Sequence, residues 1–429
     1  METRISGSVT GILLMMLVFM AGCEDRVYEE YYVLNPVYMS FEDMRKSVKI
    51  DEPKELSQPG KIYLKDNFIF INEYFEGIHI IDNSDPEAPV IAGFVTIPGN
   101  VDMAVVDNIL YADSFTDLVV LDISDVSDIN EIDRVEDIFP YTVPETGEVK
   151  LLSTMVEPSE GVVVAWEKEL RRERVSNDSP NSFFLFETMD VATSSATRAD
   201  AGFSAGASAG QAGSMARFGI FDNYLYAIDH LDMHIFNIEN FASPQKTGSE
   251  RVDWNIETMF IYGDKMFIGG QRGMYIYDLI DPAKPVKLST YWHITACDPV
   301  VVEGDRAYVT LRAGAVCGGG DNRLDVIDIS DLRNPTLIKG YPMREPYGLG
   351  IDDSILFICE GEKGLVVYNA ENPLMIAANK IADFPDIHAY DVIPVNGILL
   401  MIGLDGLYQY DYSDPADISQ LSFLPVYSN

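Results

Sequence analysis

The chain has 429 residues, a formal net charge of −38 and a hydrophobic content of 47%. That much apolar sequence supports a large core and excludes wholesale disorder. An acid excess of this size repels phosphate and excludes nucleic acid as a main partner, and the length allows two or three domains or one large all-β domain.

The first 22 residues read as a targeting segment. Arg4 gives a weak positive start beside Glu2, and residues 12–20 (ILLMMLVFM) are too short a run for a permanent membrane span. The run ends in Met20-Ala21-Gly22-Cys23. Small residues before a cysteine resemble the lipobox of bacterial lipoproteins, with Met20 where Leu is usual. The resemblance implies a signal peptide over 1–22 and lipidation of Cys23. Glu24, Asp25, Glu29 and Glu30 follow, similar to export signals that carry lipoproteins to the outside of some outer membranes. The expected address is therefore the outer membrane, on the cell surface or, alternatively, on its periplasmic leaflet. Residues 23–55 read as a lipidated acidic tether, and the membrane is a partner through the lipid. No later segment has the about 18 consecutive apolar residues of a membrane helix.

From residue 56 a phrase recurs seven times, each time an alternating apolar stretch, an Asp or Asn, a polar turn and another short strand. The first copies are GIHIIDNSDPEAPV at 77–90 and DLVVLDISDVSDIN at 117–130. The Asp or Asn positions are Asp82, Asp122, Asn237, Asp278, Asp328, Asn369 and Asp411. Their side chains suit the backbone N–H two residues on, which is a turn-holding role rather than a site. Upstream of each copy, two strands flank a tight turn: Asp66-Asn67, Asp107-Asn108, Asp222-Asn223, Gly263-Asp264, Gly304-Asp305, Asp352-Asp353 and Asn396-Gly397. Such pairs tolerate the positive φ of hairpin turns. Most successive turns are 41 to 48 residues apart. Four short strands per repeat of that length predict an all-β fold, a β-propeller, closed into one domain over 56–429.

The gap from Asp107 to Asp222 is 115 residues, too long for one blade. Glu160-Gly161 between two apolar stretches reads as a hairpin, and residues 183–188 (FFLFET) as a further strand. A flexible Ser/Ala/Gly-rich insertion at about 188–213 completes the gap. The reading favours eight blades, seven clear and one degenerate, with a seven-bladed ring as the alternative.

The phrases resemble the LVIVD-repeat family of bacterial cell-surface propellers, whose motif reads LVVLD at 118–122 and DVIDI at 325–329. The resemblance runs from about residue 60 to the C-terminus. It implies a surface-associated propeller lipoprotein and carries no catalytic residue over.

Function in a propeller lies where the repeats differ. Calling the strands of a blade A to D, strand A starts and strand B ends on one face. Counting five residues back from each A–B turn gives Lys61, Asp102, Arg217, Thr258, Pro299, Tyr347 and Asp391. One or two residues earlier lie Asn100, Glu257, Asp298, Glu345 and Tyr390, and Trp254 precedes the same strand as Glu257. Polar residues at the start of a core-facing strand predict a polar collar around one mouth of the channel. The expected ligand is small and polar or glycan-like, with Trp254 and Tyr347 stacking on it. A disulfide is expected between Cys297 and Cys317, pinning the loop between them, with Cys359 free or the alternative partner. His293 and His388 lie on the same face, but their spacing to the cysteines matches no standard zinc motif, so no metal is assigned. No cofactor is implied either.

No G-x-S-x-G, H-E-x-x-H or P-loop motif occurs. The reading that follows is a non-enzymatic propeller scaffold that binds a small glycan or docks envelope proteins. The alternative is an extracellular carbohydrate hydrolase or lyase using channel-mouth carboxylates.

Overall fold

The computed structural model describes residues 28–144, 152–153, 155–174, 209–293, 299–314 and 321–427. Seven four-stranded antiparallel blades follow one another along the chain. Blade 4 shows the pattern, with Ile256–Tyr262, Lys265–Gly270, Gly273–Asp278 and Val286–Trp292 in that order across the sheet. The innermost strands of blades 1 to 7 are Pro59–Lys65, Met103–Val106, Phe218–Phe221, Ile256–Tyr262, Val300–Glu303, Leu349–Asp352 and Ala389–Val395. Each touches the next, and that of blade 7 touches that of blade 1, so the ring closes.

Local chemistry explains the repeat. The first residue of every A–B turn has a left-handed backbone: Asp66, Asp107, Asp222, Gly263, Gly304, Asp353 and Asn396. In blade 6 the turn is Asp353-Ser354, one residue later than the sequence pattern indicates. All seven repeated Asp or Asn side chains accept the N–H two residues on, as between Asp122 Oδ1 and the Ser124 N–H at 2.9 Å. The alternating Ile, Val, Leu and Tyr pack face to face between neighbouring blades.

Side chains also tie blade to blade. The Tyr111 hydroxyl donates to Phe241 O, Tyr226 to Pro282 O and Tyr341 to Pro373 O, each at 2.7 Å. Ser289 donates to Leu332 O at 2.6 Å, and Ser422 donates to Pro86 O at 2.7 Å across the closure. The closure has its own clasp, because Leu56 bridges Val426 and accepts the Tyr427 N–H at 2.9 Å. The sequence before residue 56 contributes too. Lys49–Asp51 adds a strand to the outer edge of blade 1. The short helix Phe41–Lys46, capped by Ser40, places Arg45 on the buried Asp117 of blade 2 at 2.8 Å.

The eighth blade is corrected by the strand pairing. The expected hairpin around Glu160-Gly161 does not form. Leu152–Ser153 and Val162–Arg174 instead lie on either side of Tyr28–Met39 in a three-stranded sheet, with Val33 and Leu34 paired in parallel to Leu152 and Ser153. Most of this sheet belongs to a second compact unit, whose described residues are 28–37, 152–153, 155–156 and 165–174. Residues 1–22, Cys23, the strand expected at 183–188, and the insertion up to residue 208 lie outside the described residues. Among the described residues, no helix is long and apolar enough to cross a membrane.

Candidate binding site at the channel mouth

The end of the insertion runs along the ring axis. Gln211 and Ala212 pair antiparallel with Leu64 and Tyr63 on the inner edge of blade 1. Ala209 bridges Val106 of blade 2, and the Gly210 N–H donates to Val105 O at 2.8 Å. Ser214 Oγ donates to Asp391 Oδ1 of blade 7 at 2.6 Å and accepts the Leu349 N–H of blade 6 at 3.3 Å. Ala216 O accepts the Met259 N–H of blade 4 at 2.8 Å. One segment, 209–217, thus bonds to the innermost strands of five blades and so crosses the centre of the ring.

This segment gives the collar acids internal partners. Asp102 accepts Lys61 Nζ at 2.8 Å, and the same Oδ2 accepts the Arg217 N–H. Asp391 accepts the Ser214 N–H at 3.1 Å as well as its hydroxyl. Lys61, Asn100, Asp102 and Asp391 are all buried. Burial pulls the Lys61 ammonium down to about 8 although Asp102 opposes the shift, and Arg217 adds to it. Asn100 is a hub: its amide donates to Asp102 O and Asp113 Oδ1, both at 2.9 Å, and its Oδ1 accepts from Asn72 at 2.9 Å. Burial pushes Asp113 up to about 6.

A β-bulge occurs at the collar position of blades 1, 4 and 7, where the register shifts between Pro59 and Ile62, Ile256 and Thr258, and Ala389 and Asp391. Bulges re-aim side chains next to sites, and these carry Lys61, Glu257 and Tyr390. In blade 6 the later turn makes Gly348 the structural equivalent of the other collar residues, with Tyr347 one residue before it.

The remaining polar groups gather at the mouth. Glu257 is buried, accepts Gln271 Nε2 at 3.2 Å, and lies in the fields of Arg217, Arg312 and His293. The Arg312 guanidinium stands 4.0 Å over the Tyr347 ring. Tyr347 packs on Tyr390 at 5.3 Å, and Tyr390 on His388 at 4.7 Å. Burial and Tyr347 push the Tyr390 hydroxyl up to about 12. Burial also pulls His230 down to about 4, with Arg217 adding to the shift. Trp254 is exposed in the loop before blade 4. Asp298, Cys297 and Cys317 lie outside the described residues, and Cys359 is buried at the end of its strand. Among the described residues no cluster of His, Cys, Asp or Glu is arranged to hold a metal ion.

Counting back from the A–B turns missed Gln271, Arg312 and Glu360. Each directly follows strand B of its blade, as does Asp229 in blade 3. A second count at the end of strand B would have found them, since those positions meet the strand A starts on the same face.

Burial raises the Glu257 carboxyl from 4.5 to about 7, against the pull of Gln271 and both arginines. The folded state then holds a proton that the unfolded state has released. Stability from this group is complete below pH 4.5 and is lost as pH rises through about 7. Glu257→Gln should remove that decline. In urea titrations the variant should gain on the parent between those limits, by on the order of 3 kcal/mol at pH 8.

Residues 100–137 and 296–342 match the LVIVD repeat. Comparison with curated protein sequences finds no match. In structure the chain is similar to the periplasmic gluconolactonase PpgL of Pseudomonas aeruginosa, with a TM-score of 0.51 and 8% identity over 86% of this chain and 97% of that one. It is also similar to Sqt1 of Saccharomyces cerevisiae, with a TM-score of 0.49 and 7% identity over 92% and 89% of the two chains. BamB of Moraxella catarrhalis gives a TM-score of 0.46 and 7% identity over 81% and 82%. At such identities the first likeness is one of fold alone, and the other two carry no argument.

Proposed function

We propose, for a chain that carries LVIVD repeats on a seven-bladed ring, a non-enzymatic binding role in which the channel mouth takes a carboxylate-bearing saccharide. The supporting observation is that the charges of Arg217 and Arg312 both act on a buried, readily protonated Glu257, and that Arg312 stands over Tyr347 of the Tyr347–Tyr390 pair. In a chain of net charge −38, cations held at one mouth are selective for an anion. Guanidinium groups bind carboxylates in a planar fork, and the tyrosines offer ring faces to a sugar. A protonated Glu257 adds a donor rather than a competing charge. The collar acids Asp102 and Asp391 are engaged by Lys61, Arg217 and Ser214, which disfavours the paired-carboxylate chemistry of a glycoside hydrolase.

The proposal keeps the protein outside the cell, held on the outer membrane by lipid on Cys23. Cys23→Ser should abolish labelling by a fatty-acid analogue and release the chain from membranes; retention of both would remove that part of the reading.

The ligand part is tested by thermal stability and calorimetry of the purified protein with uronate oligosaccharides. Specific binding stabilises by about 2.7 kcal/mol at a hundredfold excess over Kd. Affinity should fall as pH rises through 7, where Glu257 ionises. It should be lost in Arg312→Ala, and the pH dependence should vanish in Glu257→Gln. Cleavage of the ligand would favour a hydrolase or lyase instead. Binding of envelope proteins, with no response to any saccharide, would favour a docking scaffold.

A further inference from the structure

Blade 4 carries a second group of residues on the collar face, outside the mouth. Trp254 and Trp292 are 56% and 59% exposed, unusual for so large an apolar side chain. The Trp292 ring packs on a rigid base, and the Trp254 backbone is tied to the same base. The buried Tyr275 donates its hydroxyl to Asp253 Oδ2 at 2.6 Å, and Trp292 packs edge-on against Tyr275 at 6.2 Å. Arg272 Nη1 reaches Asp253 Oδ1 at 3.2 Å, and its guanidinium stands 5.5 Å from the Trp292 ring. Asp253 also accepts the Trp254 N–H at 2.8 Å. The next residue, Asn255, holds a left-handed backbone and donates to Gln271 at 3.1 Å. Lys287 lies 4.5 Å over the Tyr275 ring. The two indoles are therefore presented by a loop and a strand end whose conformations are already set.

We infer that this surface is a second saccharide subsite, taking the chain of a neutral oligosaccharide across Trp254 and Trp292. A pyranose has an apolar C–H face and a rim of hydroxyls. Indoles offer an electron-rich face to the first, and Arg272, Lys287 and Asp253 offer donors and acceptors to the second. The centre of a surface for a folded protein partner is depleted in Lys and Asp, both of which this base carries. Here the charged groups stand among the rings. Preorganised rings lose little conformational entropy on binding, so a shallow platform can hold a flexible chain. The subsite adjoins the mouth through Gln271, which accepts from Asn255 and donates to Glu257, and it takes a neutral chain where the mouth takes an anion.

The protein has three tryptophans, so intrinsic fluorescence reports the site directly. The purified full chain should be titrated with soluble cello-, xylo-, manno- and chito-oligosaccharides. At least one series should quench or blue-shift the emission, with affinity rising with chain length. Trp292→Ala and Trp254→Ala should each weaken binding by about tenfold or more, while Trp292→Phe keeps most of it. Arg312→Ala should leave it unchanged, which separates this subsite from the mouth: failure of uronate binding there does not touch the result here. No fluorescence response to any series would overturn the inference. So would a response that survives the Trp254→Ala/Trp292→Ala double variant, or capture of a protein partner through these rings with no saccharide response.

Discussion

Lys61→Met should destabilise the ring by about 3–5 kcal/mol at neutral pH. Lys61 Nζ meets Asp102 Oδ2 at 2.8 Å with the two side chains only 5% and 3% exposed. Removing the ammonium leaves a buried carboxylate with the Arg217 N–H and its neighbour's backbone N–H as partners. The pair itself is not a source of large net stability, since burial, with Arg217 adding to it, outweighs Asp102 and brings Lys61 down to about 8. The sign follows from that depression. Between pH 8 and 10.5 the folded state holds fewer protons than the unfolded state, so stability from this group rises with pH across that window. Below pH 8 the cost of the buried ammonium is complete. Urea midpoints measured against pH should show the rise in the parent and none in Lys61→Met. Asp102→Asn combined with Lys61→Met should recover part of the loss, because the buried charge is then gone. A variant as stable as the parent near pH 7 would contradict the burial of this pair.

Gly213→Val should unseat the axial segment. A Cβ there would stand 2.3 Å from Asp391 Oδ2 and 3.0 Å from Ile62 O. One neighbour is backbone and the other a buried acid held by Ser214, so neither retreats cheaply. Overpacking costs about 1–3 kcal/mol, and displacing Ser214 from Asp391 leaves a buried carboxylate short of donors, which raises the loss towards about 3–5 kcal/mol. The variant should unfold at lower urea and become open to protease at 209–217. Ser214→Ala, which removes one donor without steric conflict, should give a smaller loss of about 1–3 kcal/mol. Equal stability of the Gly213 variant and the parent would show that the segment has room at the axis.

Most of the ring was legible because each blade repeats local chemistry. The Asx turns and the left-handed A–B turns depend on residues within a few positions of one another, and all seven copies carry them. What failed depends on distant partners. Residues 162–174 alternate like a blade strand, yet they pair with Tyr28–Met39. A strand's pattern states which face is apolar and does not name the strand beside it. The 13-residue length of that strand, against four to seven in the blades, was the overlooked signal.

The axial segment failed for a related reason. Gly and Ala there suggest a flexible linker, but the same residues permit close approach of two backbones. At Gly210 a Cβ would lie 2.6 Å from Leu64 O. The collar was half legible. Polar starts to strand A were visible, including Lys61, Asp102, Arg217 and Asp391. Their mutual pairing through a segment from the 115-residue gap was not. Bulges at three collar positions also leave no mark in hydrophobic alternation.

Residues 209–217, lying along the axis, engage the collar acids internally and confine a ligand to the mouth. Hydrogen–deuterium exchange over this segment tests this placement most directly. The Gly210, Gly213 and Ser214 N–H groups donate to Val105 O, Ile62 O and Asp391 Oδ1. They should therefore exchange as slowly as the innermost strands, and speed up in Gly213→Val. Exchange at the rate of an exposed loop in the parent protein would contradict it and return Asp102 and Asp391 to the channel.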